Sequence, residues 1–183
     1  MWKILKSRLL AKTRLFTLEA QLSQTDHKPP MEFYVLDAPD WVNVVALTEE
    51  GRVLLIEQYR HGTQEVTLEI PGGAVEDGES PQQSAERELL EETGYAAGEW
   101  VLLGSVRPNP AFLTNSCYTF LARGARRVQD QHLDAGEDIS TLAAPLGDIP
   151  KLIADGRITH ALVIAAFQWY WLRARQDADV SGG

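Results

Sequence analysis

Three glutamates, Glu88, Glu91 and Glu92, stand at positions i, i+3 and i+4, a spacing that sets side chains on one face of a helix. Like charges placed this way cost a helix about 0.2–0.5 kcal/mol per pair, so a helix with no other purpose would intersperse lysines. Between Glu65 and Glu99 there are instead ten acids and a single base, Arg87. A run of acids usually covers a solvated face, but convergence without cationic partners points to a hard divalent cation. Mg2+ takes oxygen ligands and binds through few carboxylates together with substrate phosphates. The preceding Gly72-Gly73 permits close backbone approach and can aim a carbonyl at the same ion.

The element that must carry these acids is legible. Ser80 suits an N-cap, Pro81 the first helical position and Gln83 a capping box, while Gly94 ends the helix. Strands are expected at Arg14–Leu22, Glu32–Leu36, Trp41–Leu47, Val53–Tyr59, Val66–Ile70, Trp100–Val106 and Tyr118–Ala122, with a loop over Asp26–Pro30 and a hairpin turn at Glu49–Arg52. Helices are expected at Leu146–Ala154 and Thr159–Arg175. Strands interspersed with helices imply an α/β or α+β sandwich.

Composition narrows the class. The 183 residues are one domain's length, and 44% hydrophobic with 23% charged is ordinary for a globular chain. One cysteine, Cys117, excludes an intrachain disulfide framework and a cysteine-based zinc site, and favours a reducing, cytoplasmic compartment. A net charge of −9 disfavours nucleic acid as a partner. The apolar stretch Ala161–Leu172 is too short to span a bilayer. The first sixteen residues carry five bases and no acid; they read as a solvated basic arm leading into the first strand, with a membrane-surface helix as the alternative.

The segment from Gly73 to Tyr95 resembles the Nudix box: Gly73, five residues, Glu79, seven residues, Arg87-Glu88, Leu89, one residue, Glu91-Glu92, one residue, Gly94 and Tyr95. Every fixed position matches, and Tyr95 fills a slot where an aliphatic is commoner. The resemblance implies a Nudix-type α/β/α sandwich with a mixed central β-sheet. It also implies a hydrolase that cleaves a nucleoside diphosphate linked to another group, with Mg2+ as cofactor and Mn2+ as a substitute. On that likeness Glu88 and Glu92 are the core metal ligands, Glu91 assists with a further ion, and the Gly72 carbonyl is a backbone ligand. Arg87 pairs with Glu79 to hold the loop against the helix.

Flanking segments are similar to the ADP-ribose pyrophosphatase branch: Gln58-Tyr59-Arg60-His61, Glu69-Ile70-Pro71-Gly72-Gly73, Pro110 fifteen residues beyond Tyr95, and Glu137-Asp138-Ile139. They imply a nucleotide-sugar substrate, with ADP-ribose first and GDP-mannose, dinucleotides, nucleoside triphosphates or a sensing role as alternatives. The branch places its catalytic base in the late loop, where Glu137 is the choice and Asp134 the substitute. Arg60 is a candidate for a substrate phosphate or ribose, or else an ordinary ion pair. Trp41 and Phe112 are candidates to stack on or line the substrate, against core or loop packing. Residues 1–37 resemble the extension with which the branch builds a homodimer, residues 38–175 form the hydrolase domain, and 176–183 are expected to fray.

Overall fold

Lysines and arginines spaced along the first residues do not keep them from pairing. In the computed structural model, which describes residues 1–181 with side chains through Asp177, the expected arm is strand β1 (Lys3–Lys12). It joins β2 (Thr17–Thr25) and β3 (Lys28–Asp37) in a three-stranded antiparallel sheet. Thr13 closes the first hairpin, its Oγ1 accepting from the Leu15 and Phe16 N–H groups at 3.1 and 3.0 Å. Such a side-chain turn helps to fix the register between β1 and β2.

The expected Asp26–Pro30 loop shrinks to a turn at Asp26-His27. Pro29 and Pro30 lie within β3, an edge strand, beside the irregularity between the Ser23–Met31 and Thr25–Lys28 pairs. Edges and bulges are where a strand tolerates residues without an N–H. These strands belong to a unit of Met1–Asp40 with Arg107–Ser116. Within it, the Leu36 N–H donates to the Phe112 carbonyl at 2.8 Å.

The second unit, Trp41–Val106 with Cys117–Gly183, is built on a seven-stranded mixed sheet. Its strands are β4 (Trp41–Thr48), β5 (Arg52–Arg60), β6 (Glu65–Glu69), β7 (Tyr95–Ala96), β8 (Glu99–Val106), β9 (Cys117–Arg127) and β10 (Ile139–Pro145). Only β4 and β9 run parallel, and every other pairing is antiparallel. Strand alternation sends Val42, Val44, Ala46 and Leu54 to one face, where they pack with Ala85 and Leu89 of α1 (Pro81–Thr93). Val45, Val53 and Leu55 face the other way, against Ile149 of α2 (Ile149–Ala154) and Val163, Ala166 and Phe167 of α3 (Ala161–Ser181). The result is the α/β/α sandwich with a mixed sheet.

In this unit β7 and β10 escape the sequence reading, as β1 does in the other. The helix expected from Leu146 begins as a 3-10 turn, Leu146–Asp148, before α2. The last helix runs past Arg175 to Ser181, so residues 176–181 are helical rather than frayed; no glycine or proline interrupts the chain until Gly182. Residues 182–183 of the expected tail lie outside the described residues. Among the described residues no helix is long and apolar enough to cross a membrane.

Candidate active site

The sequence encodes α1 down to its ends. Ser80 Oγ accepts from the Gln83 N–H at 3.3 Å while the Gln83 side chain accepts from the Ser80 N–H at 2.8 Å, closing a capping box. Gly94 takes φ +75° and returns its N–H to the Leu90 carbonyl. Between these caps Leu89 and Ala85 are pinned to the sheet, which fixes the rotation of the helix. Glu88 and Glu92 are buried by that rotation, and Glu91 is half-exposed.

Arg87 collects several acceptors. Its Nε donates to Glu79 at 3.1 and 3.2 Å, one terminal nitrogen to Glu88 at 2.8 Å and Glu91 at 3.1 Å, and the other to the Ala74 carbonyl at 3.1 Å. Ser84 Oγ adds a 2.6 Å bond to Glu79. One guanidinium thus ties the loop after β6 to the first turns of α1. Burial opposes its charge, but the surrounding carboxylates outweigh burial and raise its pKa.

The buried acids are in the opposite condition. Burial pushes Glu88 up to about 7, with Glu91 and Glu137 adding repulsion and Arg87 only partly offsetting it. Glu92 is raised well above its ordinary value by burial and by the charges of Glu88 and Glu137, against the pull of the Gly72 N–H and Arg60. That N–H reaches Glu92 Oε2 at 2.9 Å. Pro71 and Gly73 turn their carbonyls to the N–H groups of Val44 and Val42 on β4. Gly72, between them, turns its N–H toward α1.

Glu137 belongs to the same charge cluster, since its field acts on Glu88, Glu92 and Arg60. It sits in a tight turn, its N–H donating to the Asp134 carbonyl at 2.9 Å and its Oε2 accepting from the Asp134 N–H at 3.0 Å.

Arg60 is held by a partner that the sequence reading missed. Buried Glu69 accepts from its Nε and a terminal nitrogen at 2.7 and 2.8 Å, the bidentate geometry that fixes a guanidinium plane. Thr67 Oγ1 adds a 2.6 Å bond. Burial alone would raise Glu69, but Arg60 and Thr67 win and leave it below its ordinary value. His160 Nδ1 lies 3.6 Å from Glu69, and burial holds its pKa down. The signal for Glu69 was an acid inside an otherwise apolar strand end.

As the side chains stand, Glu88 and Glu91 lean on Arg87 and Glu92 on Gly72, and among the described residues no three acidic, histidine or cysteine side chains enclose a common point for a metal. The donor chemistry nevertheless fits a hard cation. Glu88 and Glu92 are buried carboxylates one helical turn apart, and of the two only Glu88 is paired with the Arg87 guanidinium. The space beside them is backbone-lined: a Cβ on Gly73 would meet Glu88 Oε1 at 2.3 Å.

The NUDIX domain profile matches residues 39–167, more than half of the chain. The chain belongs to the Nudix family. It is 28% identical over 183 residues to an ADP-ribose pyrophosphatase of Bacillus subtilis (strain 168), covering 97% of this chain and 99% of that one. A methanol dehydrogenase activator of Bacillus methanolicus is 27% identical over 172 residues, 93% of each chain. In fold it is similar to a crystal structure of an ADP compounds hydrolase, with a TM-score of 0.83, 23% identity and 95% of both chains covered.

The remaining candidates of this Nudix protein divide between the units. Trp41 opens β4, half-buried and bridged to Ala74. Pro110 and Phe112 lie in the other unit, both exposed. Gly73→Ala tests the packing directly. The methyl group must displace the Glu88 carboxylate, so kcat/KM is expected to fall about 10²-fold, the cost of a 1 Å misplacement. Steady-state kinetics beside a circular-dichroism melt check this; unchanged kinetics would show that Glu88 has room to move harmlessly.

Proposed function

We propose that this Nudix hydrolase cleaves the pyrophosphate bond of ADP-ribose or a related nucleoside diphosphate sugar, giving a nucleoside monophosphate and a sugar phosphate. The observation that supports this reading is the pair of buried carboxylates, Glu88 and Glu92, one turn apart on α1, together with Arg60 held in a fixed plane by buried Glu69. Acids alone would repel a pyrophosphate, and a fixed guanidinium alone would bind it without activating water.

Glu88, Glu92, Glu91 and the Gly72 carbonyl are the groups that would hold Mg2+, or Mn2+ in its place. When bound, the ion neutralises pyrophosphate oxygens and makes the attacking water more acidic. Arg60 presents its free guanidinium edge to a phosphate or the terminal ribose, because Glu69 occupies the other edge. Glu137 takes a proton from water as the water oxygen bonds to phosphorus, and the phosphorus–oxygen bond to the leaving phosphate breaks. Arg87 and Glu79 keep the loop and helix in register. Trp41, whose aromatic face suits a base, is proposed to contact the nucleotide sugar.

The test is a Mg2+-dependent screen of ADP-ribose, other sugar nucleotides, dinucleotides and nucleoside triphosphates, with a phosphatase added to reveal monophosphate products. A dominant ADP-ribose signal supports the reading. Activity confined to triphosphates would overturn it.

The proposed assembly is a homodimer, with no nucleic acid or membrane as partner, and the single cysteine suits a reducing cytoplasm. Support comes from the N-terminal sheet, where Trp2, Ile4, Leu9 and Phe33 are all exposed. Large exposed apolar patches mark interaction surfaces. Light scattering at micromolar concentration should give twice the 20.4 kDa chain mass; a monomer would count against the assembly.

A further inference from the structure

The segment between β9 and β10 carries Glu137 but has no helix or strand of its own. What holds it is the end of α1. The last carbonyls of a helix lack intrahelical partners, and α1 has no basic residue in its last turn to answer them. Gly94 N–H serves Leu90. The Glu91 carbonyl accepts from the His132 N–H at 2.9 Å, and the Gly94 carbonyl from Val128 and Gln129 at 2.9 and 3.2 Å.

Glu92 is served by side chains. Its carbonyl accepts from Gln131 Nε2 and, at 3.2 Å, from Thr141 Oγ1. The same Gln131 amide reaches the Ile139 carbonyl at 3.4 Å and Thr141 Oγ1 at 3.1 Å. One primary amide therefore joins the residue that carries a buried site carboxylate to the first residues of β10. Glu137 lies between its two anchor points, His132 on α1 and Ile139 on β10.

We propose that Gln131 is a positioning residue: its amide clamps the last turn of α1 to the start of β10 and so sets Glu137 against Glu88 and Glu92. A neutral donor suits the place. It answers the helix-end carbonyl of Glu92 without adding a charge to the segment. This inference rests on the proposed role of Glu137, whose turn to Asp134 is internal and provides no hold on the helix.

The test uses Gln131→Met, which keeps the chain length and removes the donor, and Gln131→Glu, which sets an acceptor against the Glu92 carbonyl. Both should fold, because much of Gln131 faces solvent. In Gln131→Met, kcat on the nucleotide-sugar substrate is expected to fall about tenfold with KM within about twofold, and Gln131→Glu should fall further. The His132 amide should exchange with solvent about tenfold faster without substrate, while the amides of β4 and β5 keep their protection.

In a Glu137→Gln background, Gln131→Met should cost less than about twofold more, because its effect passes through Glu137. An equal loss in both backgrounds would overturn the inference, as would a loosened loop with unchanged kcat. Should the wild type hydrolyse no nucleotide sugar, the functional reading fails on its own. Amide exchange then decides the clamp: faster exchange at His132 supports it, and unchanged exchange overturns it.

Discussion

Glu92→Gln is expected to abolish turnover for practical purposes while leaving the fold intact. The carboxylate sits in the last turn of α1, almost wholly buried, with the Gly72 N–H on one oxygen. An amide oxygen can still accept that bond, so packing and capping should survive. What disappears is the negative charge that holds a divalent cation. A catalytic ion supplies several kcal/mol of charge stabilisation. Losing about 4 kcal/mol of it slows the reaction about 10³-fold.

A second signature separates this from simple unfolding. The folded state raises the pKa of Glu92 through burial, so between its ordinary and its raised value the folded protein binds more protons than the unfolded chain. Stability without metal therefore falls as pH rises through that window. Glu88, raised to about 7, acts in the same direction. Glutamine removes the Glu92 part. In metal-free buffer at pH 8 the variant should melt at or above the wild-type temperature, and Mg2+ should stabilise the wild type more than the variant. Calorimetric melts with and without Mg2+ check this. A large drop in melting temperature without metal, or near-normal turnover, would remove Glu92 from the ion site.

How far the sequence shows this site depends on how local each cause is. Ser80, Gln83 and Gly94 act within four residues of the backbone they cap, so the ends of α1 were readable. The three glutamates were readable for the same reason, because helical spacing alone sets them on a face. Strand β10 was not. Its residues, Ile139-Ser140-Thr141-Leu142-Ala143-Ala144-Pro145, have weak alternation, and they become a strand by pairing with Arg52–Gln58 of β5, far away in the chain.

The N-terminal arm misled by composition. Its bases suggest solvent, yet a strand exposed along its whole length can carry them while its backbone pairs with β2. Glu69 and Gln131 were hidden for a further reason. Each is an ordinary polar residue whose meaning lies in what it touches, Arg60 in one case and the Glu92 carbonyl in the other, and neither partner is a sequence neighbour.

Glu137→Gln is the other substitution expected to have a large effect, and its signature differs from that of Glu92→Gln. A general base contributes about 10²–10⁴-fold, and it acts only as the proton moves. The variant should lower kcat about 10²-fold or more while KM and Mg2+ affinity stay near wild type. Glutamine retains the turn, since its side-chain oxygen still accepts the Asp134 N–H. Asp134 is the alternative carboxylate and shares the same turn. If Glu137→Gln keeps its kcat while Asp134→Asn loses it, the base is Asp134. If Mg2+ affinity collapses instead, Glu137 belongs with Glu88 and Glu92 as a ligand, and the field it exerts on both is that of a third carboxylate around one ion.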